Sequence, residues 1–165
     1  QSLLRDATSL LDGAVQSARA LAHGLAPAAL DLGGLPGALS DLASRVRRTY
    51  GIRAQFRKRI DAPLHLDSTQ ANHLYRIAQE GVNNAVRHGR ATFITLRLAA
   101  DAQAVKVEII DNGSGIPAPR RRTSAGMGLR IMEYRARMLG GELLIESPKR
   151  GGTAICCCVP TAATP

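Results

Sequence analysis

The chain has 165 residues, 45% of them hydrophobic, but aromatics are only 3% and Trp is absent, so Leu, Ile, Val and Ala must fill its core. A formal net charge of +9 suits nucleic acid, an acidic membrane surface or a phosphorylated ligand alike. No apolar run reaches membrane-spanning length, and the QSLLRDATSL start lacks the basic opening and apolar centre of a signal peptide, so a soluble protein is expected.

The length fits one domain, or one domain with an appended helical piece, and a first residue of Gln rather than Met reads as a fragment of something longer. Basic residues concentrate at Arg45, Arg47 and Arg48, at Arg57, Lys58 and Arg59, and at Arg120, Arg121 and Arg122. Without interleaved aromatics they read as solvated surface, and no direct nucleic-acid partner is expected.

Residues 4–25 carry a seven-residue repeat: Leu4, Leu11, Ala18 and Leu25 form one seam, with Ala7, Ala14 and Leu21 at an offset of three. That pattern predicts a coiled-coil-like helix whose narrow stripe needs a partner, from a second copy or from a missing neighbour. Gly24 and Pro27 end it. Residues 28–36, with Gly33, Gly34 and Pro36, read as a linker between a helical piece (1–27) and the main body (37–160), with residues 161–165 a disordered tail.

Residues 35–50 predict a helix with Leu39, Leu42, Val46 and Tyr50 on one side and Gly51 as its stop. Residues 52–60 alternate Ile52, Ala54 and Phe56 against Arg53, Gln55 and Arg57, a half-exposed strand. Asp67 or Ser68 caps the next helix, whose stretch 74–88 (LYRIAQEGVNNAVRH) buries Leu74, Ile77, Ala78, Val82, Ala85 and Val86. Residues 92–99 and 105–110 predict a hairpin turning at Asp101. The second strand runs into DNGSGIP, then a proline-, glycine- and arginine-rich loop. Residues 128–139 predict a helix stopped by Gly140 and Gly141, and 142–147 with 152–159 a closing hairpin. Cys156, Cys157 and Cys158 lie in that last strand, the outer two on one face and Cys157 on the other. They lack the spaced ligand pairs of a zinc site, and small apolar filler in a reducing compartment is the reading.

Three stretches bear chemistry. On the 74–88 helix, Glu80, Asn84, Arg87 and His88 recur at three- and four-residue steps and share one face. Such a face suits a divalent metal on the Asn oxygen, water on Glu80 and phosphate on Arg87, and it equally suits a solvated helix side with one ordinary ion pair. Asp111 to Gly115 at a strand end forms either a plain hairpin turn or a glycine-lined pocket whose Asp111 carboxylate accepts from an exocyclic amine such as adenine's. Gly126, Met127, Gly128 and Leu129 open a helix whose unpaired N–H groups suit an anion. Each is weak alone, but together they supply metal, base and phosphate functions once each.

The trio resembles the nucleotide-binding boxes of the ATPase superfamily shared by gyrase, Hsp90, sensor histidine kinases and MutL. Gln79-Glu80 through Asn84-Ala85 to His88 looks like the N box, Asp111 to Gly115 the first glycine box, and Gly126 to Leu129 the second. GMGLRIMEYRARMLGGELLIESPKRGGT resembles the end of the sensor histidine kinases that signal to NarL-type response regulators, and the likeness spans residues 35–160. It implies an α/β sandwich, a mixed and mostly antiparallel sheet with helices on one face holding ATP and Mg. It further implies that Asn84 coordinates Mg, that Glu80 acts as base or water-orienter, and that Arg87 and His88 lie near the phosphates. Asp111 binds the adenine amino group, Gly113, Gly115 and Ile116 shape its pocket, and Gly126, Met127, Gly128 and Leu129 serve the phosphates. Thr153 supports the adenine through water, and residues 117–125 form a mobile lid in which the arginine triplet reads as solvated loop.

The resemblance also gives the heptad helix a place, since ALAHGLAPAAL is similar to the end of the second helix in a dimerisation and phosphotransfer hairpin. The phosphoacceptor His of that hairpin, followed by an acidic residue, has no counterpart here: His23 precedes Gly24 and reads as structural, and His65 and His73 as surface residues. The expectation is the cytoplasmic catalytic domain of a dimeric kinase, anchored to membrane only through absent segments. Its ATP phosphorylates a histidine on a missing helix, and a NarL-type regulator takes the phosphoryl group. A nucleotide-sensing or partner-docking module without kinase activity would use the same pocket, but a pure sensor has no need of Glu80.

Overall fold

The structure, a computed structural model of the chain, describes residues 28–116, 126–148 and 151–161, with side chains from residue 33 onward. The heptad helix with His23, the lid with Arg120, Arg121 and Arg122, and residues 162–165 of the tail lie outside the described residues.

Helix α1, Ala28–Tyr50, is interrupted at Gly34, where φ 57 and ψ −164 leave helical geometry. A positive φ costs glycine little, and Pro36 begins the following helical piece with a φ already suited to it. The expected linker 28–36 is therefore helical except at this one residue. Leu35, Ala38, Leu39, Leu42, Ala43 and Val46 recur every three or four residues and are buried. Tyr50, expected on that stripe, is 51% exposed, because the helix has by then run past the sheet edge to Gly51, whose N–H bonds Arg47 O at 3.2 Å.

Strand β1, Arg53–Ile60, leads to helix α2, Ser68–Arg87. Asp67 caps α2 through a reciprocal pair: its Oδ1 accepts from Gln70 N–H at 2.7 Å, and Gln70 Oε1 accepts from Asp67 N–H at 3.0 Å. Next come β2, Phe93–Ala100, β3, Ala104–Asp111, helix α3, Met127–Met138, β4, Glu142–Glu146, and β5, Ala154–Pro160. They form a five-stranded sheet in the order β1-β2-β3-β5-β4, parallel only between β1 and β2. The α/β architecture agrees with the mixed, mostly antiparallel sheet expected.

Alternation places the helices on one face of the sheet. Ile94, Leu96 and Leu98 of β2, Val105, Val107 and Ile109 of β3, and Ile155, Cys157 and Val159 of β5 are at most 3% exposed beneath them. α2 meets them with Leu74, Ile77, Ala78 and Val82, and sits so close that a Cβ on Gly81 would lie 3.1 Å from Ile109. This contact fixes α2 over the middle of the sheet, with its polar stripe turned toward α3.

Candidate nucleotide-binding site

The site runs along the seam where α2 meets α3, with the turn after β3 beside the end of α2. Glu80 and Asn84, one helical turn apart on α2, are half-buried, whereas Arg87 and His88 at its end are exposed. Burial raises the Glu80 pKa from its ordinary 4.5, while Arg87, His88 and Arg135 pull it back down. A base with a raised pKa accepts a proton more readily than a surface carboxylate does.

Facing it, Gly126 caps α3 without a side chain, its carbonyl accepting from Leu129 and Arg130 N–H at 3.0 and 3.3 Å. A Cβ on Gly128 would collide with Glu80 Oε1, so the carboxylate rests against the first turn of α3. The two motifs, 48 residues apart in sequence, meet there. Met127 is 77% exposed, so its side chain leaves the cleft and only its backbone faces the helix start. Leu129 is partly buried against the core.

Asp111 is the last residue of β3 and only 8% exposed. Its N–H donates to Thr153 O at 2.9 Å, and its Oδ1 accepts from Gly113 N–H at 2.7 Å. Among the described residues no protein donor takes the other carboxylate oxygen. Thr153, 6% exposed, lies beside it immediately before β5. Glycines permit this crowding: a Cβ on Gly113 would strike Gly89 O, and one on Gly152, where φ is 86, would strike Asp111 O. Ile116 N–H donates to Ser147 Oγ at 3.4 Å, tying Gly115 and Ile116 to the end of β4.

Asn112 received no role from the sequence, yet it fastens the whole turn. Its Oδ1 accepts from Thr92 and Phe93 N–H at 2.9 and 2.8 Å, and its Nδ2 donates to Thr92 Oγ1 at 2.9 Å. Ser147 was missed as well. His73, expected on the surface, is half-buried between α2 and α3 with Arg135 Nη1 3.2 Å from its Nδ1. Burial, then Arg135, lowers its pKa, and Asp67 opposes them. No local pattern signals a contact between residues 62 apart.

The arrangement thus offers a buried carboxylate acceptor at one end, a half-buried amide oxygen with a neighbouring base in the middle, and unpaired helix N–H groups opposite. That set suits an adenine, a metal and phosphates in that order. Residues 69–163 match the family model described as histidine kinase-, DNA gyrase B-, and HSP90-like ATPase. The chain is 36% identical over 148 residues to the sensor histidine kinase MctS of Rhizobium johnstonii, covering 87% of this chain and 31% of that protein. It is 34% identical over 93 residues to the nitrate/nitrite sensor protein NarX of Escherichia coli, covering 56% and 15% respectively. It therefore spans under a third of these relatives' length. The ATP-binding domain of PrrB from Mycobacterium tuberculosis shares the fold at TM-score 0.62 and 23% identity, covering 78% of this chain and 94% of that one. With the cleft's three motifs meeting as described and the family match running from the start of α2 to the end of β5, the chain belongs to the histidine kinase-, DNA gyrase B- and HSP90-like ATPase family.

Proposed function

We propose that the chain is the ATP-binding catalytic domain of a two-component sensor histidine kinase, working in a dimeric protein that passes phosphoryl groups to a NarL-type response regulator. The observation that carries this reading is the meeting of Glu80 with the Gly128 backbone, because it sets a base beside an anion-binding helix start. Asp111 accepts the adenine amino group, with Thr153 supporting that side through water and Gly113, Gly115 and Ile116 forming the wall. Backbone N–H groups of Gly126, Met127 and Gly128 take phosphate oxygens, Leu129 closes the turn that presents them, and exposed Arg87 and His88 add positive charge.

The residues fit a magnesium ion as well. Asn84 presents a half-buried side-chain amide that makes no hydrogen bond among the described residues, one turn from a carboxylate. Asn84 Oδ1 would hold the ion, which would supply charge neutralisation at the phosphates. Glu80 orients the attacking imidazole and accepts its proton as the phosphorus–nitrogen bond forms and ADP leaves. None of the four histidines of this chain is followed by an acidic residue, so in this reading the chain does not phosphorylate itself.

The exposed apolar stripe of α3 is the face assigned in this reading to docking the histidine-bearing helices. Met127, Ile131, Tyr134 and Met138 are 77%, 43%, 62% and 58% exposed, and their spacing of four, three and four puts them on one stripe.

The test is phosphorylation in a chain extended upstream through the missing histidine helix. Acid-labile phosphate should accumulate from ATP, and Glu80→Gln should abolish it while leaving ATP bound. Parallel loss of binding would give Glu80 a structural role instead, and label appearing on the present fragment would contradict the missing-acceptor reading.

A further inference from the structure

Three consecutive cysteines stand where the nucleotide cleft has no use for them. On β5 they alternate: Cys157 enters the core at 0% exposure, where burial pushes its thiol up to about 12, while Cys156 and Cys158 are half-exposed on the face without helices. Two steps along a strand separate their Cα atoms by about 6.6 Å. That is close to the upper limit for a disulfide and beyond its usual span, so a direct S–S bond would bend β5. An ion between the sulfurs relaxes the demand, since staggered rotamers can turn both toward one point.

The register sets the surroundings of the pair. Cys156 lies opposite Glu108 on β3 and Leu144 on β4, and Cys158 opposite Lys106 and Glu142. Leu144, 54% exposed, offers an apolar flank to the pair, and Glu108 is already engaged by Arg97 at 3.5 Å. Among the described residues no cluster of three or more His, Cys, Asp or Glu is placed to hold a metal, which excludes a closed tetrahedral zinc centre. Soft cations that are satisfied by two thiolates remain.

We propose that Cys156 and Cys158 form a two-coordinate site for a soft monovalent cation, cuprous copper being the chemical type. Two thiols each release a proton to solvent as two sulfur–copper bonds form, with no change of oxidation state. The resulting bis-thiolate complex carries one negative charge, next to the Lys106 ammonium. The site lies on the opposite face of the sheet from Glu80 and Asp111, so its occupancy leaves ATP binding unchanged.

The experiment titrates the reduced, full 165-residue chain with Cu(I) under anaerobic conditions against bicinchoninate as competing chelator. One copper per chain is expected, with Cys156→Ser and Cys158→Ser each weakening the site about tenfold or more. Cys157→Ala should retain it, circular dichroism confirming that each variant is folded. Affinity unaffected by Cys156→Ser or Cys158→Ser, dependence on Cys157 alone, or one copper per two chains would each overturn the proposal.

Discussion

Glu80 Oε1 occupies the space that a side chain on Gly128 would need. Gly128→Ala therefore forces the carboxylate to swing away, a movement a flexible side chain accommodates without unfolding. We expect a melting temperature close to the parent's and a phosphoryl-transfer rate lowered about 100-fold in the upstream-extended kinase, since misplacement of about 1 Å has effects of that size. Single-turnover kinetics beside thermal denaturation measure both.

Glu80 also predicts the pH profile. A base with a pKa raised above 4.5 by burial gives a transfer rate that climbs with pH above the ordinary carboxylate range. For stability the sign reverses: the folded state holds the proton more tightly than the unfolded one, so stability is lost as pH rises from about 4.5 through the folded pKa. Glu80→Gln removes that loss. Denaturant melts at several pH values should show the variant gaining on the parent as pH rises through this window.

His73 predicts the opposite slope. Its pKa is lowered below 6.5 by burial and Arg135, so the folded state binds fewer protons, and the histidine contributes stability that is lost as pH falls through that window. His73→Gln should flatten the slope just below pH 6.5 in the same melts, and an unchanged slope would remove the account of this contact.

Asn112 anchors the adenine-side turn to the start of β2. Asn112→Ala forfeits three exposed hydrogen bonds, and because water takes over the freed Thr92 and Phe93 N–H groups the cost is only about 1 kcal/mol. Because Asp111 then loses its fixed position, ATP should bind about tenfold more weakly while the rate at saturation is retained. Calorimetry and chemical denaturation read the two effects separately.

Tyr134→Asp tests the stripe on α3. At 62% exposure and away from the cleft, it should change stability by less than about 0.5 kcal/mol and leave ATP affinity intact, yet slow phosphorylation of the histidine helix. Unaltered phosphorylation would show that the stripe docks nothing in that reaction.

Features with a local cause were legible in the sequence. The Asp67 cap, one of two adjacent candidates, the alternation of β2 and β3, and the glycines around Asp111 each follow from a few adjacent residues. The break at Gly34 was read as a linker because glycine and proline punctuate both linkers and kinked helices, and burial of Leu35 and Ala38 decides between them only in three dimensions. Tyr50 kept the helical period but outran the sheet. The Asn112 clamp on Thr92 and the His73 contact with Arg135 join residues 20 and 62 apart, which periodicity cannot report. The Glu80 and Gly128 motifs were visible singly, whereas their meeting depends on how α2 and α3 pack.

The most direct test of the cleft is calorimetric titration of ATP into the chain with and without magnesium, beside Asp111→Asn and Asn84→Ala. The account predicts binding by the parent, its loss in Asp111→Asn, and its insensitivity to magnesium in Asn84→Ala. Absence of ATP binding in the folded parent would contradict it.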